Sequence, residues 1–294
     1  MKALIAAVAL AAGIGRASPP LAGETPWAAV DAALGREGKD LPGEVRKYGF
    51  PRLDLHVTAG GVAIEPALAL GSWAAFRSPG TGSMMMGDLV LLPVELNPVI
   101  RRLHAGGVEI GAIHNHLTGE LPPVVYVHFS AMGEAPALAR ALRTALELTR
   151  TPLGAPGASA ALSADELKQF DALQAALGRK GTMAGRVLQV GVPRQERIEE
   201  GGMEIQPAMG MAIALNFQIA GTQMATTGDF VLSADEVNPV VRELQAHGID
   251  VTALHSHMLR ETPRLFFLHF WGVASPEKLG AGLKAGLAKV ATKP

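Results

Sequence analysis

Residues 87–130, GDLVLLPVELNPVIRRLHAGGVEIGAIHNHLTGELPPVVYVHFS, align without a gap on residues 228–271, GDFVLSADEVNPVVRELQAHGIDVTALHSHMLRETPRLFFLHFW, at an offset of 141. Nineteen of the 44 pairs are identical, and the match runs back through Gly61–Pro66 against Gly202–Pro207. Further upstream WAAVDAALGREG (27–38) matches FDALQAALGRKG (170–181). A repeat of this length means one supersecondary unit used twice, so any fold must accommodate two copies. The stretch 151–162, TPLGAPGASAAL, has Pro, Gly, Ala and Ser without hydrophobic periodicity and reads as the connection between them. The expected organisation is a leader at 1–22, a first repeat at 23–150, the linker at 151–162 and a second repeat at 163–294.

Within each copy the apolar period changes in the same order. Alternation in 53–57, in GVAIEPALAL and in MEIQPAMGMAIALNF predicts short strands joined by Gly-containing turns. A helix follows, expected to start at Asn97-Pro98 and Asn238-Pro239, with Asn as cap and Pro at the first helical position, and to stop near Gly107 and Gly248. Two strands joined by a short Pro-containing loop come next, then a closing amphipathic helix. The predicted fold is α+β: a tandem duplication in which each unit is a largely antiparallel sheet with helices packed on it.

Met1-Lys2 followed by ALIAAVALAAGIGRA has the pattern of a secretory signal peptide, which predicts a periplasmic or secreted location. The apolar run is shorter than the roughly 20 residues that span a bilayer, and no later segment is long and apolar enough, so no membrane span is expected. Lys and Arg number 26 against 27 Asp and Glu, a balance with no basic excess to neutralise a nucleic-acid backbone. There is no cysteine, which removes disulfides, thiolate ligands and a catalytic thiol from consideration. A metal would have to be held by nitrogen, oxygen or thioether donors.

Six of the nine histidines occupy equivalent repeat positions: His114, His116 and His128, and His255, His257 and His269. Each copy also keeps a glutamate four residues after the second histidine, Glu120 and Glu261, giving H-x-H-x3-E-x-P-x5-H-F twice. Residues i and i+2 of a strand share a face, so the H-x-H pair presents two imidazoles together, and an antiparallel return strand brings up the third. Three nitrogens and a carboxylate suit a divalent transition metal, zinc or copper foremost. Each half holds a full four-ligand set, which predicts two separate sites. The alternative is that the histidines are structural groups hydrogen-bonded inside the hairpin.

Other polar positions flank this set. Asp88 and Asp229 follow a glycine before an apolar run, and Glu95 and Glu236 stand two residues before Asn-Pro. A turn role for the aspartates and a helix-start role for the glutamates are expected, with partnership to the imidazoles as the other reading. In FPRLDLHV, Arg52, Asp54 and His56 alternate with apolar residues, which predicts one polar strand face suited to an anionic group or to acid–base work. The stretch RVLQVGV, taken as its counterpart, lacks all three. Met84-Met85-Met86 reads as apolar filler, with a thioether copper site as the alternative.

The succession FPRxDL, GD-x-VL, E-x-NPV, A-x-H-x-H-x3-E-x-P and a terminal histidine strand resembles the LppY/LpqO family of exported proteins and lipoproteins over nearly all of the chain after its leader. The resemblance implies an exported, duplicated domain of unknown function, and lipid attachment does not carry over without a cysteine. The H-x-H-x3-E spacing is also similar to the first metal motif of cupins, though the second cupin motif is not visible.

Three functions fit these residues: a metal-binding protein of the cell envelope, a metal-dependent hydrolase with Glu120 or Glu261 as general base and Arg52 and Asp54 in its pocket, or a module binding a small or cell-wall ligand without metal. Whether the protein is an enzyme is left open by the sequence.

Overall fold

The computed structural model describes residues 27–80, 82–154 and 160–293. The leader at 1–22 and part of the linker lie outside the described residues.

The first half opens with helix α1 (Trp27–Leu34) and strands β1 (Lys39–Leu41) and β2 (Val45–Pro51). A small ribbon, β3 (Thr58–Ala59) and β4 (Val62–Ala63), leads into the one-turn helix α2 (Pro66–Ala69). Strands β5 (Gly71–Arg77) and β6 (Ser83–Leu91), helix α3 (Pro93–Ala105), strands β7 (Glu109–His114) and β8 (Val125–Gly133) and helix α4 (Ala135–Leu146) complete it. The second half repeats the order: α5 (Ala164–Leu177), β9 (Thr182–Ala184), β10 (Val187–Pro193), the ribbon β11 (Ile198–Glu200) and β12 (Met203–Ile205) and a 3-10 turn at Pro207–Met209. Then come β13 (Ala212–Ala220), β14 (Gln223–Leu232), α6 (Ala234–Ala246), β15 (Asp250–His255), β16 (Phe266–Ala274) and α7 (Pro276–Leu287).

Each half is a six-stranded antiparallel sheet, ordered β1-β2-β5-β6-β8-β7 and β9-β10-β13-β14-β16-β15. The tandem α+β architecture is as the repeat predicts. Alternation sorts the sheet residues: Tyr48, Phe50, Phe76, Leu89, Leu91, Val127 and Phe129 point outward and are buried with residues of α1, α3 and α4. Residues of the opposite parity face the other half, where Val45, Ala75, Met84 and Met86 are buried in one cluster with Met209 of the 3-10 turn, which packs on β2 and β5. Met84 and Met86 are therefore packing residues of the shared interface, while Met85 packs under the outer helices. Polar residues also join the halves: Gln189, Asn216 and Gln218 donate to the carbonyls of Ala67, Leu68 and Ala63.

Three local readings are corrected. The helices do not begin at Asn-Pro: α3 starts at Pro93 and α6 at Ala234, which puts Pro98 and Pro239 inside them. What fixes each start is a glutamate, Glu95 accepting from the Leu92 amide and Glu236 from the Ser233 amide, at 2.8 and 2.7 Å. The internal prolines sit only one turn in, and the carbonyls left without a donor belong to the exposed Val94 and Asp235. Residues 66–69 of GVAIEPALAL form a helical turn, because Pro66 cannot donate to a strand ladder and suits a first helical position.

The third correction concerns Arg52, Asp54 and His56. The strand β2 ends at Pro51, so these three do not share a strand face. Arg52 is fully buried and spends all five donors: on both oxygens of Asp54 (2.9 and 2.9 Å), both oxygens of Glu95 (2.7 and 3.2 Å) and the Val90 carbonyl (2.8 Å). No donor remains for a substrate anion, and His56 is exposed. Nor is the feature unique to the first half. Arg194 makes the same five bonds to Glu196, Glu236 and the Val231 carbonyl. The true counterpart of Phe50-Pro51-Arg52 is Val192-Pro193-Arg194, one residue off the main repeat offset.

Candidate metal centre between the halves

His114 ends β7 and His255 ends β15, and these two edge strands approach each other where the sheets meet. The rings of His114 and His255 stack with centroids 3.7 Å apart. Their positions are equivalent in the repeat, so a pseudo-two-fold axis runs between them. The same axis exchanges two further stacked pairs, His116 with His269 at 3.9 Å and His128 with His257 at 3.5 Å. The six histidines thus form one cluster in which the nearest imidazole to each ring comes from the opposite half. The two sets, one from each half, interleave in space.

The local register explains how the rings reach one another. A bulge interrupts β7 between Ile110 and Ala112 and β15 between Val251 and Ala253. The skipped residues, Gly111 and Thr252, touch the opposite half at equivalent points. A Cβ on Gly111 would lie 2.0 Å from the His257 carbonyl oxygen, and Thr252 Oγ1 donates to the His116 carbonyl at 2.6 Å. Below the rings, Tyr126 stacks on His116 and Phe267 on His257, both at 3.4 Å.

Asp88 and Asp229 belong to this site and not to turns. They lie in β6 and β14, directly across from His128 and His269. Asp88 Oδ2 is 3.5 Å from His116 Nε2 and 4.0 Å from His128 Nε2, and Asp229 Oδ2 is 3.1 Å from His257 Nε2. The glycine before each marks a thin place in the sheet: a Cβ on Gly87 would lie 2.3 Å from the Phe129 ring and the Trp73 carbonyl.

The glutamates are placed elsewhere. Glu120 accepts from the Val124 amide at 3.4 Å, and Glu261 from the Leu265 amide at 3.1 Å with Arg264 beside it, so both carboxylates brace their own loops. Among the described residues, the groups whose ligand atoms lie within 4.8 Å of one another are His114-His128-His255, His114-His116-His269, His255-His257-His269 and Asp88-His116-His128. Neither Glu120 nor Glu261 is in any of them, and the fully paired Arg52 and Asp54 are not either.

The electrostatics fit an array of neutral imidazoles. Burial, and then the neighbouring rings, depress the basicity of all six, His255 to about 3. Burial pushes Asp229 up to about 6 and raises Asp88 further, with the Asp229 charge as the next cause. His269 Nδ1 sits 2.7 Å from the Gly228 carbonyl and His128 is hydrogen-bonded to Gly87. A carbonyl only accepts, so Nδ1 carries the proton in His269 and Nε2 presents its lone pair. That Nε2, together with those of His114, His116, His128, His255 and His257 and with Oδ1 of Asp88 and Asp229, is buried and without a hydrogen-bond partner among the described residues. Each such orphan costs about 1–3 kcal/mol, which argues against histidines that merely satisfy a hairpin.

The fold and cluster define a class: a duplicated α+β protein with a histidine-rich centre at the seam of its two copies. The sequence matches the family described as Domain of Unknown Function (DUF1259) over residues 28–148 and again over 171–289, and the chain belongs to that family. No curated protein and no solved structure matches it.

Proposed function

We propose that this is an exported protein of the LppY/LpqO kind that binds a divalent transition metal at the histidine cluster shared by its two halves. The observation that carries the reading is the convergence of six imidazoles whose Nε2 atoms are buried and have no hydrogen-bond partner among the described residues. Neutral nitrogen donors with a flanking carboxylate suit zinc or copper, and a bound cation would stabilise the carboxylates that burial disfavours. Export rests on the leader pattern at 1–17. No helix among the described residues is long and apolar enough to cross a membrane.

The test is direct. Untagged protein, stripped with chelator and dialysed against Zn²⁺, Cu²⁺ or Ni²⁺, should retain metal in stoichiometric amount. Protein that retains none would leave the cluster as a binding surface for a small organic ligand. A hydrolytic role is the second reading, favoured by the carboxylate–imidazole pair of Asp229 and His257, since a carboxylate held near neutrality is suited to general-base work.

A further inference from the structure

We infer that the cluster holds two metal ions in unlike positions, one bound by His255, His257 and His269 and the other by Asp88, His116 and His128. The inference rests on the metal-binding reading and adds the number and character of the positions. Of the four candidate groups, these two are the only pair that share no residue. The other two, His114-His128-His255 and His114-His116-His269, each overlap with every remaining group. Double occupancy is therefore compatible with one partition of the ligands only.

That partition is lopsided. The second-half position has three imidazole nitrogens, the donor set of zinc and copper sites. The first-half position has two imidazoles and a carboxylate, a harder set that leaves coordination positions open for water or an exogenous ligand. The symmetry-related group Asp229-His257-His269 does not close to the same distance, although Asp229 approaches His257. A further difference accompanies this. Lys47 projects from β2 on the inner side of the first sheet, its ammonium 4.0 Å from the centre of the Trp73 ring and 3.3 Å from the Ala208 carbonyl, and its charge attracts Asp88. Trp73 itself is paired with Asp88 across β5 and β6. The equivalent residue of the second half is Gln189, which instead binds the Ala67 carbonyl. Lys47 thus favours the charged carboxylate at one position and has no counterpart at the other.

Co²⁺ serves as the probe, because its visible spectrum reports coordination number while mass spectrometry counts it. The full untagged chain, freed of metal, should take up about two equivalents. Asp88→Ala and His257→Ala should each retain about one, and the double variant none. In Asp88→Ala the remaining spectrum should be the intense four-coordinate type, and in His257→Ala the weak type of higher coordination. If Asp88→Ala does not fold, Asp88→Asn replaces it, with loss of the weak component as the expected result. One equivalent in the unmodified protein, removed by either substitution, would mean a single shared ion: the two-position inference falls while metal binding stands. Two equivalents retained by both variants, or one spectral type in all of them, would also overturn it. No uptake by the unmodified protein would remove the metal reading itself.

Discussion

His128 of the first half lies flat against His257 of the second, ring centroids 3.5 Å apart, and each has an aspartate of its own sheet within 4.0 Å of its Nε2. Two neutral rings tolerate that stacking, but two protonated ones would not. The contact therefore ties the charge state of the centre to the docking of the halves, and pH should act on both.

In the metal-free protein the six imidazoles stay neutral in the folded state, whereas in the unfolded chain they take up protons near pH 6.5. Stability should be lost as pH falls below about 6.5, by up to about 1.4 kcal/mol per pH unit and per group, until His255 itself protonates at about 3. Asp229, raised to about 6, acts in the opposite sense: its contribution declines as pH rises from the unfolded value near 3.8. Six histidines outweigh two aspartates, so the melting temperature should fall steadily from pH 7 to pH 5. A flat profile over that range would contradict neutral, buried rings.

Metal should oppose this loss. At pH 7 and a free Zn²⁺ concentration 100 times Kd, binding to the folded state alone adds about 2.7 kcal/mol. For a chain of this size that is a rise of roughly 5–10 °C in Tm, reversed by chelator. Thermal scans with and without chelator measure it, and equal Tm values would exclude tight binding to the folded form.

The bulge contacts give a graded pair of variants. Gly111→Ala drives a methyl into the His257 carbonyl and should cost about 1–3 kcal/mol, with weakened metal uptake because the halves are pushed apart at the centre. Thr252→Ala removes one hydrogen bond to His116 and should cost about 0.5–1.5 kcal/mol, with stoichiometry retained. Denaturant titration and metal analysis of both would show whether the order is reversed.

Arg52→Ala should destabilise by about 3–5 kcal/mol, since it leaves the buried Glu95 without its cation, and Arg194→Ala by somewhat less, since Glu236 is only partly buried. Lysine offers fewer donors in the wrong geometry and should not restore stability. Folded variant protein should keep its metal, which separates this clamp from the centre.

Glu120→Gln and Glu261→Gln should leave metal stoichiometry unchanged, because both carboxylates are turned to loop amides. Loss of an equivalent in either variant would return the glutamates to the ligand set.

The duplication, the helix and strand order and the six histidines were legible because identity at a constant offset and local periodicity encode them directly. The interlocking of the two histidine sets was not, since His116 meets His269 and His128 meets His257 across separations that no local pattern records. Asp88 and Asp229 were misread because Gly-Asp before an apolar run is also how a turn looks. Here the glycine makes room for a ring and the aspartate faces the seam. Arg194 was missed through a one-residue shift of offset, and the signal that would have found it is the recurrence of Pro-Arg-x-acid at Pro51–Asp54 and Pro193–Glu196.

A self-complementary interface between two separate identical chains forces every residue to be right for both sides at once. Here both surfaces are on one chain, so their meeting does not depend on dilution, and the linker sets their effective concentration. Covalent joining also frees each side to drift. Lys47 can become Gln189, Tyr126 can become Phe267 and Gly111 can become Thr252 without the opposite surface changing in step. The fused seam is thereby open to a division of labour that an assembly of identical subunits cannot reach.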